Sequence, residues 1–352
     1  MNNTLIFPSE WQAQDAILMA FPHEDTDWAY MLDEARDCFA QIINAITNFN
    51  EAVILIVNNK ADYKYVINKF GDNVYPVFVP FNDTWTRDFG PVFVQKGDVL
   101  VCLDFKFNGW GLKYAANKDN LVNGNLLCKN IFLENVVYQN HLNFVLEGGS
   151  LESDGKGTLL TTAECLLSPN RNGEWNRLQI ENYLKTTLGL KRTLWLHNGK
   201  LKGDDTDGHI DTLARFCDHN SIVYVKNNDK NDCNYYALSA MEEELQQFTN
   251  EEGAPYKLTP LLMPEPVFHK GKRLPATYAN FLIMNNAVLL PVYQSSKDEE
   301  AIKIITSLFP DRTVVPIDCK AMIKQYGSLH CATMQLPKGT VNFDTLKKIR
   351  NK

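Results

Sequence analysis

Four short polar runs interrupt otherwise strand-like sequence, and their residue types are those needed for thiol chemistry. They are NDTWTRDFGP (82–91), LEGGS (146–150), GDDTDGHID (203–211) and YGSLHC (326–331). Cys331 ends the last run, just ahead of the strand-like ATMQL. A thiol is the most nucleophilic side chain near neutral pH, and more so when a cation lowers its pKa. His209 lies between Asp207 and Asp211, and a histidine with a carboxylate partner can pass protons near neutral pH. Read as a strand, the segment puts Asp207, His209 and Asp211 on one face, because the strand period is two. Asp88, within Trp85-Thr86-Arg87-Asp88, and Glu147, before Gly148-Gly149, complete the set. Each also has a purely structural reading. Cys331 could be one more core cysteine, His209 a satisfied structural histidine, Asp88 an ion pair with Arg87 or a turn cap, and Glu147 an exposed loop end.

Several carboxylates beside a thiol would repel its thiolate, a poor arrangement for attack on a neutral amide or ester. The arrangement makes sense if the substrate is itself a cation. Two carboxylates grip a guanidinium through paired charge-assisted hydrogen bonds, and the bound cation then favours the thiolate. The carboxylate count therefore points to a guanidine substrate rather than a peptide bond. A metal is the competing use of GDDTDGHID, but the run lacks the ligand pattern of a calcium loop and has no second histidine at i+4.

These runs must be brought together by the elements around them. AVILIV (52–57) and VYPVFV (74–79) read as buried strands, and residues 28–49 carry apolar side chains at 3–4 spacing, an amphipathic helix. An order of hairpin, helix and strand then recurs. SLESDGKGTLLTTA precedes a helical stretch (174–188) and TLWL; DTLARFCDHNSIVYV precedes 234–248 and YKLTPLL; NFLIMNNAVLLPVY precedes 298–308 and TVVPI. PVFVQKGDVLVCL (91–103) is a further hairpin on Gly-Asp. Repeated β-β-α-β units are expected. The steps from Asp88 to Glu147, to His209 and to Cys331 are 59, 62 and 122 residues, close to one, one and two repeats. In a ring of like units, equivalent positions face the same end of the axis, so the four runs should meet.

Composition narrows the partners. The chain has 352 residues and a net charge of −7, so a nucleic-acid partner, which needs clustered positive charge, is not expected. A length prior of about 150 residues per domain suggests two domains, but no linker or compositional break divides the chain, and one domain over 1–352 is expected. No apolar run approaches the ~18 residues of a membrane span, and the start lacks the pattern of a secretory signal. The eight cysteines (Cys38, Cys102, Cys128, Cys165, Cys217, Cys233, Cys319 and Cys331) contain no C-x-x-C pair. Reduced thiols in a cytoplasm, with no structural zinc, are the simplest reading.

Taken together, WTRDFGP, FNGWG (107–111), LEGGS, GDDTDGHIDTLARF, LPATYANF (274–281) and GSLHC resemble, in order, the blocks of the agmatine deiminase family. That family is a branch of the guanidino-group-modifying (pentein) superfamily that also holds bacterial-type peptidylarginine deiminases. AILMAFPHEDTDW near the N-terminus fits as well. The resemblance implies an α/β fold, the five-bladed propeller of pseudo-symmetric ββαβ repeats. It implies Cys331 as nucleophile, His209 as general acid/base, Asp88 and Asp211 as the carboxylates holding the guanidinium, and Glu147 as the residue orienting His209. Trp85 would line the aliphatic stem, and Asp205 stands where family members commonly carry Glu, near the substrate amine. The nucleophile loop departs from the longer glycine-rich, Asn-containing stretch of many members. Agmatine hydrolysis to N-carbamoylputrescine and ammonia is the implied reaction, without cofactor or metal, in a cytoplasmic homodimer or larger assembly that binds neither nucleic acid nor membrane. The nearest rivals are a peptidylarginine or free-arginine deiminase, in which Arg87 or Arg215 could meet a carboxylate, and an amidinotransferase. A non-catalytic binding module is the remote one, since the fold also resembles a ribosomal anti-association factor.

Overall fold

The computed structural model describes residues 4–351. Its strands form five sheets of three or four strands and one separate two-stranded hairpin. The same local order builds each of the five: an antiparallel pair, then a strand added parallel after a crossover. Val92–Lys96 pairs antiparallel with Val99–Lys106, which pairs parallel with Val137–Val145. Glu152–Ser153, Thr158–Thr162 and Arg192–Leu196 repeat that order. So do Ala214–Asp218, Ser221–Lys226 and Lys257–Leu262, and Leu282–Ile283, Ala287–Val292 and Thr313–Asp318. In the fifth sheet the two ends of the chain meet. Met334–Pro337 pairs antiparallel with Gln14–Ala20, which runs parallel to Ala52–Val57 and through it to Val74–Phe78.

The elements follow from local chemistry. Ala52–Val57 is buried at every position, as expected of an apolar strand between parallel neighbours covered on both faces. The helix Leu32–Asn48 buries Ala35, Phe39, Ile42, Ile43 and Ile46 as one stripe and carries Asp33 and Glu34 in its first turn, where the helix dipole favours acids. Arg177–Leu188 starts on a reciprocal capping box between Asn176 and Gln179 and ends at Gly189 with φ 72°. The expected turns fall at Gly97-Asp98, His219-Asn220 and Asn285-Asn286, between the paired strands named above.

One expectation is overturned. Residues 203–211 are not a strand: a turn ends at 203, 206–208 form a bend, and Ile210–Thr212 is a single 3-10 turn. The Asp204 carboxylate accepts the N–H groups of Thr206 at 3.1 Å and Gly208 at 2.7 Å, a side-chain competitor that removes the segment from any ladder. Asp207, at φ 66°, therefore does not share a face with His209 and Asp211. Among the described residues no helix is long and apolar enough to cross a membrane.

In every sheet the polar run lies just ahead of the first strand. Asp88 precedes Val92, Glu147 precedes Glu152, His209 and Asp211 precede Ala214, and Cys331 precedes Met334. The remaining sheet contributes Asn280, two residues before Leu282.

Candidate active site

The five segments converge. Cys331, His209, Glu147, Asp88 and Asp211 are each at most 5% exposed; hydrogen bonds join Glu147 to His209 and Cys331 to Asp211, and His209 Nδ1 lies 3.6 Å from Asp88 Oδ1. Thr86–Phe89 is one helical turn, tied to the Cys331 segment because the Arg87 N–H donates to the Cys331 carbonyl at 3.1 Å. Arg87 does not pair with Asp88; its guanidinium reaches Glu10 and Gln335 instead. Asp88 accepts from the Trp110 indole at 2.9 Å and from the Gly149 N–H at 3.0 Å. Glu147 is not an exposed loop end. It lies 2.7 Å from His209 Nε2 and accepts three bonds, at 2.8–3.1 Å, from Arg171. Arg171 also reaches Asp207 and the Thr206 carbonyl, so it clamps the 203–211 segment against Glu147.

Electrostatics assign protonation states. Burial opposes charge on His209, but Asp88 and the contacts to Cys165 and Glu147 outweigh it and hold the imidazole well above its usual pKa. The ring is therefore an imidazolium at neutral pH. Burial likewise opposes charge on Glu147, and the bond from His209 and the Arg171 guanidinium override it, keeping it a carboxylate. Burial raises Asp88 to about 6, His209 opposing and Glu147 and Asp211 adding to the shift. Burial, then Asp211 and Asp88, push the Cys331 thiol well above its usual value. In the free protein the sulfur is thus held as a thiol.

Two buried polar atoms in the cluster, His209 Nδ1 and Asp211 Oδ1, have no hydrogen-bond partner among the described residues. His209 Nδ1 lies 3.6 Å from Asp88 Oδ1, and Asp211 Oδ2 is 3.8 Å from the Cys331 sulfur. A planar donor entering here would satisfy Asp88 and Asp211 together. The Asn280 amide brackets the sulfur at 3.3 and 3.4 Å, able to donate to a thiolate. Glu147, Cys165 and His209 present three possible metal ligands within 4.8 Å, but the Arg171 cation already occupies both Glu147 oxygens, a poor setting for a metal ion.

Gly149 sits where no side chain fits. A Cβ there would lie 2.5 Å from His209 Nδ1, 2.9 Å from Asp88 Oδ1 and 3.2 Å from Asp211 Oδ2. Gly149→Ala is expected to cut kcat/KM about a hundredfold or more, since small displacements of reacting groups carry such costs; steady-state assays with circular dichroism as a folding control check this. Gly327 likewise lies against Trp85, where a Cβ would collide with the indole ring.

A pocket opens from Asp88, lined by Trp85, Trp110, Tyr114, Tyr326, Gly327, Gln325 and the acids Asp27, Asp83 and Asp205. Burial raises Asp83 to about 7 and also raises Asp205, and Tyr114 donates to Asp205 at 2.7 Å. No cationic side chain is among the lining residues. Arg215, fully buried, is spent on Glu10, Glu152 and two backbone carbonyls.

Sequence reasoning missed Arg171, Trp110, Asn280, Asp27 and Asp83. Asn280 had a signal: the two-repeat gap between His209 and Cys331 requires a contribution from the unit between them, where LPATYANF falls. Trp110 lay inside FNGWG without a role. Arg171 had none, because its partner Glu147 is 24 residues away.

A buried thiol beside Asp211 and Asn280, a buried histidine–carboxylate pair and an acid-lined pocket, on repeated α/β sheets, are the arrangement of a guanidine deiminase of pentein-type fold. The sequence profile of the Porphyromonas-type peptidyl-arginine deiminases matches residues 6–337, and the chain belongs to that family. It is 48% identical to a Porphyromonas gingivalis protein named provisionally as an arginine deiminase, covering 96% of this chain and 100% of that one at a TM-score of 0.92. The substrate-bound agmatine deiminase of C. jejuni is 37% identical, with 95% and 97% covered and a TM-score of 0.89. A Legionella pneumophila protein named provisionally as an agmatine deiminase is 33% identical over 94% of both chains.

Proposed function

We propose that this chain hydrolyses agmatine to N-carbamoylputrescine and ammonia through an amidino-cysteine on Cys331. The observation that carries this reading is the pocket with four carboxylates and no cationic side chain in its lining. Agmatine has a guanidinium at one end and a primary ammonium at the other. Asp88 and Asp211 hold the guanidinium, Trp85 and Trp110 flank the stem, and Asp205 with Asp27 and Asp83 faces the ammonium. The bound charge lowers the thiol's pKa, and sulfur attacks the guanidinium carbon. His209 protonates the leaving nitrogen from Nδ1, ammonia departs, and the amidino group stays on sulfur. Neutral His209 then takes a proton from water, which attacks the same carbon, and the ureido product leaves as the S–C bond breaks. Glu147, braced by Arg171, orients the ring throughout.

Free arginine is the substrate suggested by the name of the P. gingivalis relative. Its carboxylate would face Asp27, Asp83 and Asp205, with Arg87 and Arg215 both engaged at Glu10. Ammonia release from agmatine, arginine and an arginyl peptide, measured side by side, should favour agmatine by about a hundredfold or more in kcat/KM, the scale of two misplaced charges. Faster turnover of arginine or of the peptide would overturn the assignment. Asp205→Asn should raise KM for agmatine about tenfold with kcat little changed, the pattern of lost uniform binding.

We further propose that the five like-ordered sheets are the blades of a five-bladed α/β propeller forming a single domain over 1–352. The antiparallel pairing of the last strand, Met334–Pro337, with Gln14–Ala20 near the start of the chain supports this. The same reading expects a homodimer or larger assembly and no cofactor.

A further inference from the structure

Behind the nucleophile, His330 is fully buried between two carboxylates. Its Nδ1 lies 2.8 Å from Asp211 Oδ2, and its Nε2 lies 2.8 and 3.1 Å from Glu10 Oε1 and Oε2. A neutral imidazole has one N–H, so it can donate to one carboxylate and must turn a lone pair toward the other. Both contacts become hydrogen bonds only when the three groups together take up one further proton. The trio is thus a proton acceptor by construction, and charge-assisted bonds on both nitrogens would stabilise the protonated form.

The surroundings keep it empty at rest. Burial, Arg215 and Arg87 push the His330 pKa down, against Glu10 and Asp211, and the net direction is downward. Burial opposes charge on Glu10 and Asp211, yet both are held below their usual values, Glu10 by Arg215, His330 and Arg87 and Asp211 chiefly by His330. Glu152 stands behind Arg215. The downward direction for the ring itself favours a neutral imidazole between the two carboxylates at rest.

Both ends of the trio lead somewhere. Asp211 Oδ2, the oxygen that meets His330, is also 3.8 Å from the Cys331 sulfur. Glu10 lines a second cleft with Phe7, Pro8, Met334 and Gln335, and that cleft shares no lining residue with the acidic pocket. A guanidinium filling the acidic pocket leaves this second cleft open to solvent.

We propose that Asp211, His330 and Glu10 accept the Cys331 thiol proton when sulfur attacks. The S–H bond breaks, its electron pair stays on sulfur to form the S–C bond, and the proton passes over Asp211 Oδ2 to His330 Nδ1. The imidazolium donates from Nδ1 to Asp211 and from Nε2 to Glu10, which exchanges with water in the second cleft. When the S–C bond breaks, sulfur recovers a proton by the reverse route. His330 is a positioning residue here, acting on the sulfur through Asp211, and His209 keeps its separate duty toward the leaving nitrogen and water.

The inference rests on Cys331 being the nucleophile but not on which guanidine is the substrate. Its test is the pH dependence of Cys331 alkylation by a cationic haloacetamidine, alongside kcat and KM for agmatine, in His330→Gln and Glu10→Gln. Glutamine keeps hydrogen-bonding ends but cannot hold the proton. In His330→Gln the alkylation midpoint should rise by about one pH unit or more, and kcat should fall about tenfold or more with KM within about threefold. Glu10→Gln should move both in the same direction. An unchanged midpoint and kcat, or a loss confined to KM, overturns the proposal. Should His330→Gln fail to fold, Glu10→Gln decides by the same two readings. Because alkylation needs no turnover, a protein inactive on agmatine still reports on the relay.

Discussion

Replacing Cys331 by alanine or serine is expected to leave less than about one part in ten thousand of the wild-type turnover, because the proposed covalent intermediate forms on this sulfur. The sulfur is bracketed by Asn280 and lies against Asp211, all buried. Serine retains the hydrogen-bonding role toward Asn280, and alanine removes only one atom, so either variant should stay folded. The serine hydroxyl has a far higher intrinsic pKa than a thiol, and the acids around it oppose an alkoxide as they oppose the thiolate. Substrate binding should survive, because the carboxylates proposed to hold the cation, Asp88, Asp211 and Asp205, are left unchanged. Calorimetric titration with agmatine should give a Kd within about threefold of wild type, the spread of a small local change. In the parent protein, agmatine should protect Cys331 from alkylation while the exposed Cys128 and Cys233 remain unprotected. Activity above about one per cent in either variant would falsify the nucleophile assignment.

Much of this arrangement is legible in the sequence. The hairpins stand out because Asn, Gly and Asp mark their turns and apolar β-branched runs flank them, as at Asn285-Asn286 between Leu282–Ile283 and Ala287–Val292. Their regular recurrence supplies the spacing argument that brings Asp88, Glu147, His209 and Cys331 together. That argument needs only the position of each run relative to a strand start, and it survives an error in local structure. Alternation of residue types makes 203–211 look like a strand. Asp204 instead captures backbone N–H groups at Thr206 and Gly208, and alternation cannot register a side chain that competes with the ladder. His209 and Asp211 still reach the centre, by way of a 3-10 turn rather than a shared strand face.

The partners of the site are less legible. Cys331 taken with the other polar runs suggests a nucleophile, but nothing in the chain order pairs Arg171 with Glu147 or Glu10 with His330, the latter contact spanning 320 residues. Charges of this kind are chosen by what lies across the fold, so neighbouring residues mislead: Arg87 is adjacent to Asp88 and pairs with Glu10. The same fact resolves a question the sequence poses. Arg87 and Arg215 are the candidates to greet a substrate carboxylate, and both are engaged on the Glu10 side, away from the acidic pocket.

His209→Asn is expected to lower kcat by about a thousandfold and to change the shape of the pH profile, which a merely structural loss would not do. The wild-type ring is held protonated by Asp88 and by its contacts to Cys165 and Glu147, against the effect of burial. A group with a raised pKa keeps its proton at neutral pH and gives it up only as pH climbs through that raised value. The leaving nitrogen therefore finds its acid in place below that point, and activity should fall on the alkaline side well above pH 6.5. On the acidic side Asp88 must be ionised to hold the guanidinium, and burial places its pKa at about 6. Protonation below that pH removes one arm of the grip, so kcat/KM should drop through a limb near pH 6. In His209→Asn the alkaline limb should vanish with the imidazolium. The acid limb should persist but move to higher pH, because the positive ring that lowers the Asp88 pKa is gone. Rate–pH profiles of the two proteins read all three effects. An alkaline limb that survives in His209→Asn would assign the proton donor to another group, and an acid limb that does not move would separate Asp88 from the imidazolium 3.6 Å away.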